Sequence, residues 1–150
     1  MMLDIQQIIL VFACIWGALI ASGFWEAYVE RRNAWDKGKV GWKIHIGSFF
    51  LTGYHFYLFW VMYPLLLAIP FIFTGWNPRL FGVIVSAYAT GIILEDLTWY
   101  LVNPVVKFRE LYTPFSDYYP WVKIGGSKII PAGYVAGIVV ALLSWFFLWK

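Results

Sequence analysis

The chain has 150 residues, 62% of them hydrophobic and 13% charged, against roughly a quarter charged in an ordinary soluble domain. That balance excludes a water-soluble globular class. The net charge of +3 does not argue for a nucleic-acid partner, because the positive residues sit in loops between apolar runs.

A helix needs about 20 mainly apolar residues, at ~1.5 Å each, to cross a bilayer, and four segments meet that length. The first covers about residues 5–29. Met1 to Gln7 carries Asp4 and no basic residue, so this run lacks the positive flank of a secretory signal and is expected to be retained. It contains the single cysteine, Cys14, which excludes an intramolecular disulfide and reads as a small helix-packing residue. The second run covers 44–68, with a kink expected at Pro64. Pro70, Gly75, Asn77 and Pro78 then break the chain before the third run, 80–102, so these two form a tight hairpin. Asn103-Pro104 ends the third, and the fourth, 130–149, has Pro131 in its first turn, where a missing N–H costs nothing. The expected fold is an all-α, four-transmembrane-helix bundle forming a single membrane domain over residues 1–150.

Orientation follows from the basic residues of short loops. Arg31, Arg32, Lys37, Lys39 and Lys43 fall in the first connection, and Lys107, Arg109, Lys123 and Lys128 in the third, leaving only Arg79 and Lys150 elsewhere. Loops 30–43 and 104–128 are therefore expected in the cytoplasm, with both termini on the non-cytoplasmic side of an inner or plasma membrane. The ten Trp and ten Tyr suit the headgroup level of such a bilayer. Loop 104–128 is too long for an idle link. With Tyr112, Phe115, Tyr118, Tyr119 and Trp121 it is expected to lie along the membrane surface, as an aromatic anchor or as a lid. Its Gly125-Gly126-Ser127-Lys128 lacks the spacing of a P-loop and reads as a turn.

Acids and histidines inside these runs form the candidate site. Counting helical steps from the nearest cytoplasmic charge or break puts Glu26 about 7 Å inside, Glu95 about 12 Å with Asp96 one step shallower, His55 about 18 Å, and His45 only about 3 Å. Three stripes recur at helical spacing: His45, Ser48, Thr52 and His55; Tyr88, Gly91, Glu95, Trp99 and Asn103; and Ser22, Glu26 and Glu30. Gly133, Gly137 and Ala141 make a small-residue packing face on the fourth run. An acid at the centre of a span costs about 2.5–3.5 kcal/mol unless neutralised. No Lys or Arg lies in the spans, so protons, the two His, water or a cation must compensate.

One reading is a metal site on Glu26, His55, Glu95 and Asp96 with His45 peripheral, supported by Thr52, Tyr88, Trp99 and Asn103. Carboxylates and imidazole suit a divalent Zn, Fe or Mn, and Glu95, Asp96 and His55 are also the candidates for catalysis on a small or lipidic substrate. The Glu-x-x-His pairs of di-iron bundles and the histidine triplets of membrane desaturases are absent. Two other readings use the same residues: a proton- or ion-coupled transport path through Glu95, Asp96 and His55, and interhelical hydrogen bonds fixing a structural accessory subunit of a larger complex. The partners expected are membrane lipids, a second copy or other membrane subunits, and no nucleic acid. No Gly-x-Ser-x-Gly element supports a serine nucleophile. His45 and His55, ten residues or about 15 Å apart on one helix, cannot ligate a haem from both faces.

The run Glu95-Asp96-Leu97-Thr98-Trp99-Tyr100-Leu101-Val102-Asn103-Pro104, followed by Tyr119-Pro120-Trp121 and then Pro131 with Tyr134, resembles a pattern, EDxxW[FY]xxNP, of small uncharacterised prokaryotic four-helix integral membrane proteins. The resemblance covers about the last third of the chain. It implies a four-helix membrane fold, groups Glu95, Asp96, Trp99 and Asn103 as a unit, and implies no activity. Trp121-Val122-Lys123 stands where those proteins carry a His-bearing segment, which removes a metal ligand from the loop.

Overall fold

A computed structural model describes residues 3–35, 40–46 and 49–150. It opens with α1 (Ile5–Glu30), whose start is fixed by a reciprocal cap. Asp4 Oδ1 accepts the Gln7 N–H at 2.8 Å and Gln7 Oε1 accepts the Asp4 N–H at 3.0 Å. An antiparallel hairpin follows, β1 (Lys43–Ile46) with β2 (Phe49–Thr52). Then come α2 (Gly53–Thr74) and α3 (Pro78–Val102). Two short 3-10 turns, Phe108–Tyr112 and Pro114–Ser116, lead into a second hairpin of β3 (Trp121–Ile124) and β4 (Ser127–Pro131), and α4 (Ala132–Trp149) closes the chain.

All four helices are long and apolar enough to cross a membrane. α3 is the central one. Alongside α1 it runs parallel, with Leu19 at Gly91 and Gly23 at Glu95, and the Trp16 indole donates to Thr90 Oγ1 at 2.9 Å. Against α4 it runs antiparallel, with Ser144 Oγ donating to the Gly82 carbonyl at 2.8 Å and Ser86 Oγ to the Ala141 carbonyl at 3.0 Å. Gly137 abuts the Ala89 carbonyl, so the small-residue face of the fourth helix packs as expected at Gly137 and Ala141, while nothing lies within 4 Å of Gly133.

The structure corrects several sequence expectations. The fold is mostly helical and not all-α, because two β-hairpins stand between α1 and α2 and between α3 and α4. Lys43–Ile46 and Phe49–Thr52 are paired strands, so α2 begins at Gly53 and continues through Pro70 to Thr74. The physical reason is composition: Lys-Ile-His-Ile and Phe-Phe-Leu-Thr are rich in β-branched and aromatic residues and are separated by Gly47-Ser48, a two-residue hairpin signal that a hydropathy count reads as more helix. The expected stripe of His45, Ser48, Thr52 and His55 is lost with that helix, and Ser48, like Lys37 and Lys39, lies outside the described residues. Pro131 caps α4 with extended ψ instead of filling its first turn, and the loop after α3 is folded as the 3-10 turns and the second hairpin. Gly125 and Gly126, at φ 56° and 83°, form the turn of that hairpin, a left-handed pair that glycine adopts at no steric cost. Cys14 is exposed and lines an apolar crevice with Leu66, Pro70 and Ile84, so it is not buried between helices.

In α2 the turns just before Pro64, over Phe56–Met62, are π turns. The inward residues of this helix, His55, Phe59, Tyr63, Leu67 and Phe71, recur strictly every four positions. An α-helix would carry such a series about 40° further round at each step, and the wider π turns take up that drift. Pro64 has no N–H, and in π register its acceptor would be the Phe59 carbonyl. Tyr88 of α3 donates its hydroxyl to that carbonyl instead. Tyr88→Phe is expected to lower stability by about 1 kcal/mol, read as a lower thermal unfolding midpoint in detergent.

Candidate metal centre

The last turns of α1 carry Ser22, Glu26 and Glu30, one stripe at i, i+4 spacing, all buried against the bundle. Depth of packing comes from Gly23: a Cβ built there would lie 2.5 Å from the Glu95 carbonyl oxygen, so only glycine lets α1 approach α3 this closely. That approach sets the Glu95 carboxylate within electrostatic reach of Glu26 and Glu30.

His55 arrives from the other side. Thr52, the last residue of β2, caps α2, its hydroxyl oxygen accepting the His55 backbone N–H at 3.3 Å and lying 2.6 Å from His55 Nδ1. One residue therefore starts the helix and orients the ring. The Tyr54 hydroxyl donates to Glu26 Oε1 at 3.0 Å. The result is a triad: one ligand atom from each of Glu26, Glu30 and His55, all within 4.8 Å of one another. Glu26 is 4% exposed, Glu30 7%, His55 5% and Glu95 5%, so two or three carboxylates share a space that water hardly enters. Ligands on opposite sides of an ion, each bonded at ~2.1 Å, lie about 4.2 Å apart, so small side-chain shifts would close the triad around one cation.

Against the sequence expectation, the structure brings Glu26 and His55 together, places Glu95 beside them and adds Glu30. Asp96 is in a different place. Neighbouring residues of a helix point about 100° apart, and Asp96 turns toward α4 and the loop, where the hydroxyls of Tyr119 and Tyr134 both donate to its carboxylate. Beside it Tyr118 and Tyr100 share a hydroxyl contact of 2.7 Å. Burial, and then the Asp96 charge, hold the Tyr119 hydroxyl far above its ordinary titration range, so it stays protonated and keeps its proton for Asp96. His45 is exposed on β1 and is outside the triad. His55 lies in the first turn of α2 and not 18 Å deep, since the hairpin takes up the intervening residues.

The other expected supports have separate tasks. Trp99 packs with Ala27 and Tyr100 in the core on the loop side. The Asn103 amide donates to the Arg31 carbonyl at 2.8 Å, and its Oδ1 accepts the N–H groups of Val105 and Val106 at 3.0 and 2.9 Å, which ties the exit of α3 to the exit of α1. Arg32 extends that tie, donating to the Val105 carbonyl at 2.9 Å and pairing with Glu110 at 2.7 Å. The Arg32 hydrogen bond holds the Glu110 carboxyl below the usual carboxylate range.

Glu30 is the member of the triad that sequence reasoning missed. Its signal was present in the Ser22, Glu26 and Glu30 stripe, since like charges at i, i+4 disfavour a helix unless something positive sits between them. Trp35 also escaped notice; its indole stacks on the His55 ring with centroids 4.1 Å apart and planes at 24°. Its backbone is left-handed at φ 62°, a conformation costing a bulky residue about 1–2 kcal/mol. The chain matches no protein-family model, no curated protein and no solved structure.

Proposed function

We propose that this chain is a multi-pass protein of the inner or plasma membrane that binds one divalent transition metal, Zn, Fe or Mn, through Glu26, Glu30 and His55, with Glu95 beside them. The observation that carries the reading is the convergence of two buried carboxylates and a buried imidazole from two different helices. Such a cluster is costly in hydrocarbon or protein interior until a cation neutralises it. Carboxylate and imidazole together select first-row divalent ions over the harder Mg and Ca. Thr52 holds Nδ1, so Nε2 would be the coordinating nitrogen, and Tyr54 orients Glu26, both in the manner of outer-sphere partners.

Three protein ligands leave a tetrahedral ion one open position, the arrangement of catalytic rather than structural zinc sites. The basic residues Arg31, Arg32, Lys107 and Arg109 near the same end of the bundle support a cytoplasmic location for the site. Purified protein in detergent, loaded with Zn2+, Mn2+ or Fe2+ and desalted, should retain one ion per chain by elemental analysis; no retained metal under any loading would sink the reading. Thr52→Val, which frees Nδ1 while keeping the side-chain volume, should weaken Zn2+ binding by about 10- to 100-fold, measured by competition with a chromophoric chelator.

A further inference from the structure

Trp35 is the one ring described above as meeting His55 from outside α2. Phe59 lies nearly parallel to the imidazole at 6.2 Å and 10°, Tyr54 meets it edge-on at 5.0 Å, and Thr52 holds Nδ1, all from α2 or the residue that caps it. Trp35 reaches the ring from beyond the end of α1. Its indole is closest, at 4.1 Å, and its plane lies 6° from that of Tyr118 at 6.0 Å, so it stacks with both the His55 ring and a ring of the loop after α3. A bulky side chain keeps a left-handed backbone only where its surroundings hold it there. Here the indole lies against the His55 ring and parallel to the Tyr118 ring, contacts that are lost once it leaves.

We infer that Trp35 is a removable cover over His55. With the backbone left-handed, the indole shields the imidazole and the carboxylates beside it; when Trp35 relaxes out of that conformation, the indole withdraws and the ligand cluster opens toward the loops. The importance of the cover rests on the metal reading given above, but the covering is tested with no metal present.

The chain has two histidines, and exposed His45 serves as the internal standard. In metal-free protein in detergent, diethyl pyrocarbonate should acylate His55 at least about tenfold more slowly than His45, because it reacts only when the site opens locally. Trp35→Gly keeps the left-handed backbone without strain and should speed acylation of His55 by about tenfold or more while leaving His45 unchanged. Trp35→Phe retains a stacking ring and should retain the protection. If the glycine variant does not give folded protein, Trp35→Asn, which also tolerates this backbone region, carries the same comparison. Equal rates for the two histidines in the unmutated protein, or no acceleration in the folded variant, would overturn the proposal.

A second arm uses Zn2+-loaded protein and excess EDTA. Trp35→Gly should release zinc about tenfold faster with its equilibrium affinity within about threefold of the unmutated value, since a cover changes both association and dissociation rates. A loss of affinity as large as the gain in release rate would make Trp35 a support for His55 and refute the cover. Protein that shows the acylation contrast yet takes up no zinc would leave the cover standing and remove the metal reading.

Discussion

Glu26→Gln should weaken Zn2+ binding by at least about a hundredfold, the upper end of what loss of an outer-sphere partner costs, whereas Asp96→Asn should leave it within a factor of about three. The contrast separates two acids that sequence alone places in one site. It is readable as stability. At a zinc concentration of a hundred times its Kd, the unmutated protein should gain about 2.7 kcal/mol, and a variant bound a hundredfold more weakly should gain only about 0.4 kcal/mol at that concentration. Without metal the order should reverse, because Glu26→Gln removes one of several like charges crowded into a buried space and should melt no lower than the unmutated protein. A metal-free variant that melts markedly lower, with zinc affinity unchanged, would mean that Glu26 serves packing and not coordination.

Gly23→Ala is expected to be the most damaging single methyl group in the bundle. The new Cβ would meet the Glu95 carbonyl oxygen at 2.5 Å and Thr98 Cβ at 3.0 Å, backbone and a short branched side chain that cannot swing aside. α1 must then move away from α3, at about 1–3 kcal/mol for an overpacked interface. Glu26 and Glu30 move with it, so thermal stability and zinc affinity should fall together. Gly17 has nothing within 4 Å, and Gly17→Ala should raise stability by up to about 1 kcal/mol through helix propensity alone. Melting curves of the two variants, side by side, isolate the steric effect; equal behaviour would mean that the helices do not approach as closely as Gly23 allows.

Much of the architecture was legible in the sequence because it depends on counts and periods. The apolar runs located α1, α3 and α4 to within two residues of their ends. Of the expected polar stripe of Tyr88, Gly91, Glu95, Trp99 and Asn103, the lower members Gly91, Glu95, Trp99 and Asn103 meet α1 and its exit, while Tyr88 turns to α2, a division that spacing alone did not give. Total hydropathy was blind to period. Residues 44–46 and 49–52 are apolar enough for a span but pair as strands, and that difference moved His55 from deep in a helix to its first turn. Which of two adjacent acids faces the site was not legible either. Glu95 and Asp96 diverge because Gly23 draws α1 against one side of α3, while Tyr119 and Tyr134 claim the other. These tyrosines lie some 23 and 38 residues downstream of Asp96, and no local pattern announces such a pairing.

The π turns in α2 make this helix unusual in how it would accommodate a change of length. In an ordinary span, losing one residue rotates everything beyond it by about 100° and turns a buried face toward lipid. The wide turns at Phe56–Met62 hold slack equivalent to an added residue. Removing one residue there would let the stretch rewind to α-geometry with His55 above it and Tyr63, Leu67 and Phe71 below it still facing inward. The helix thus contains one short window where a deletion is geometrically silent, set between His55 and the apolar half of the helix.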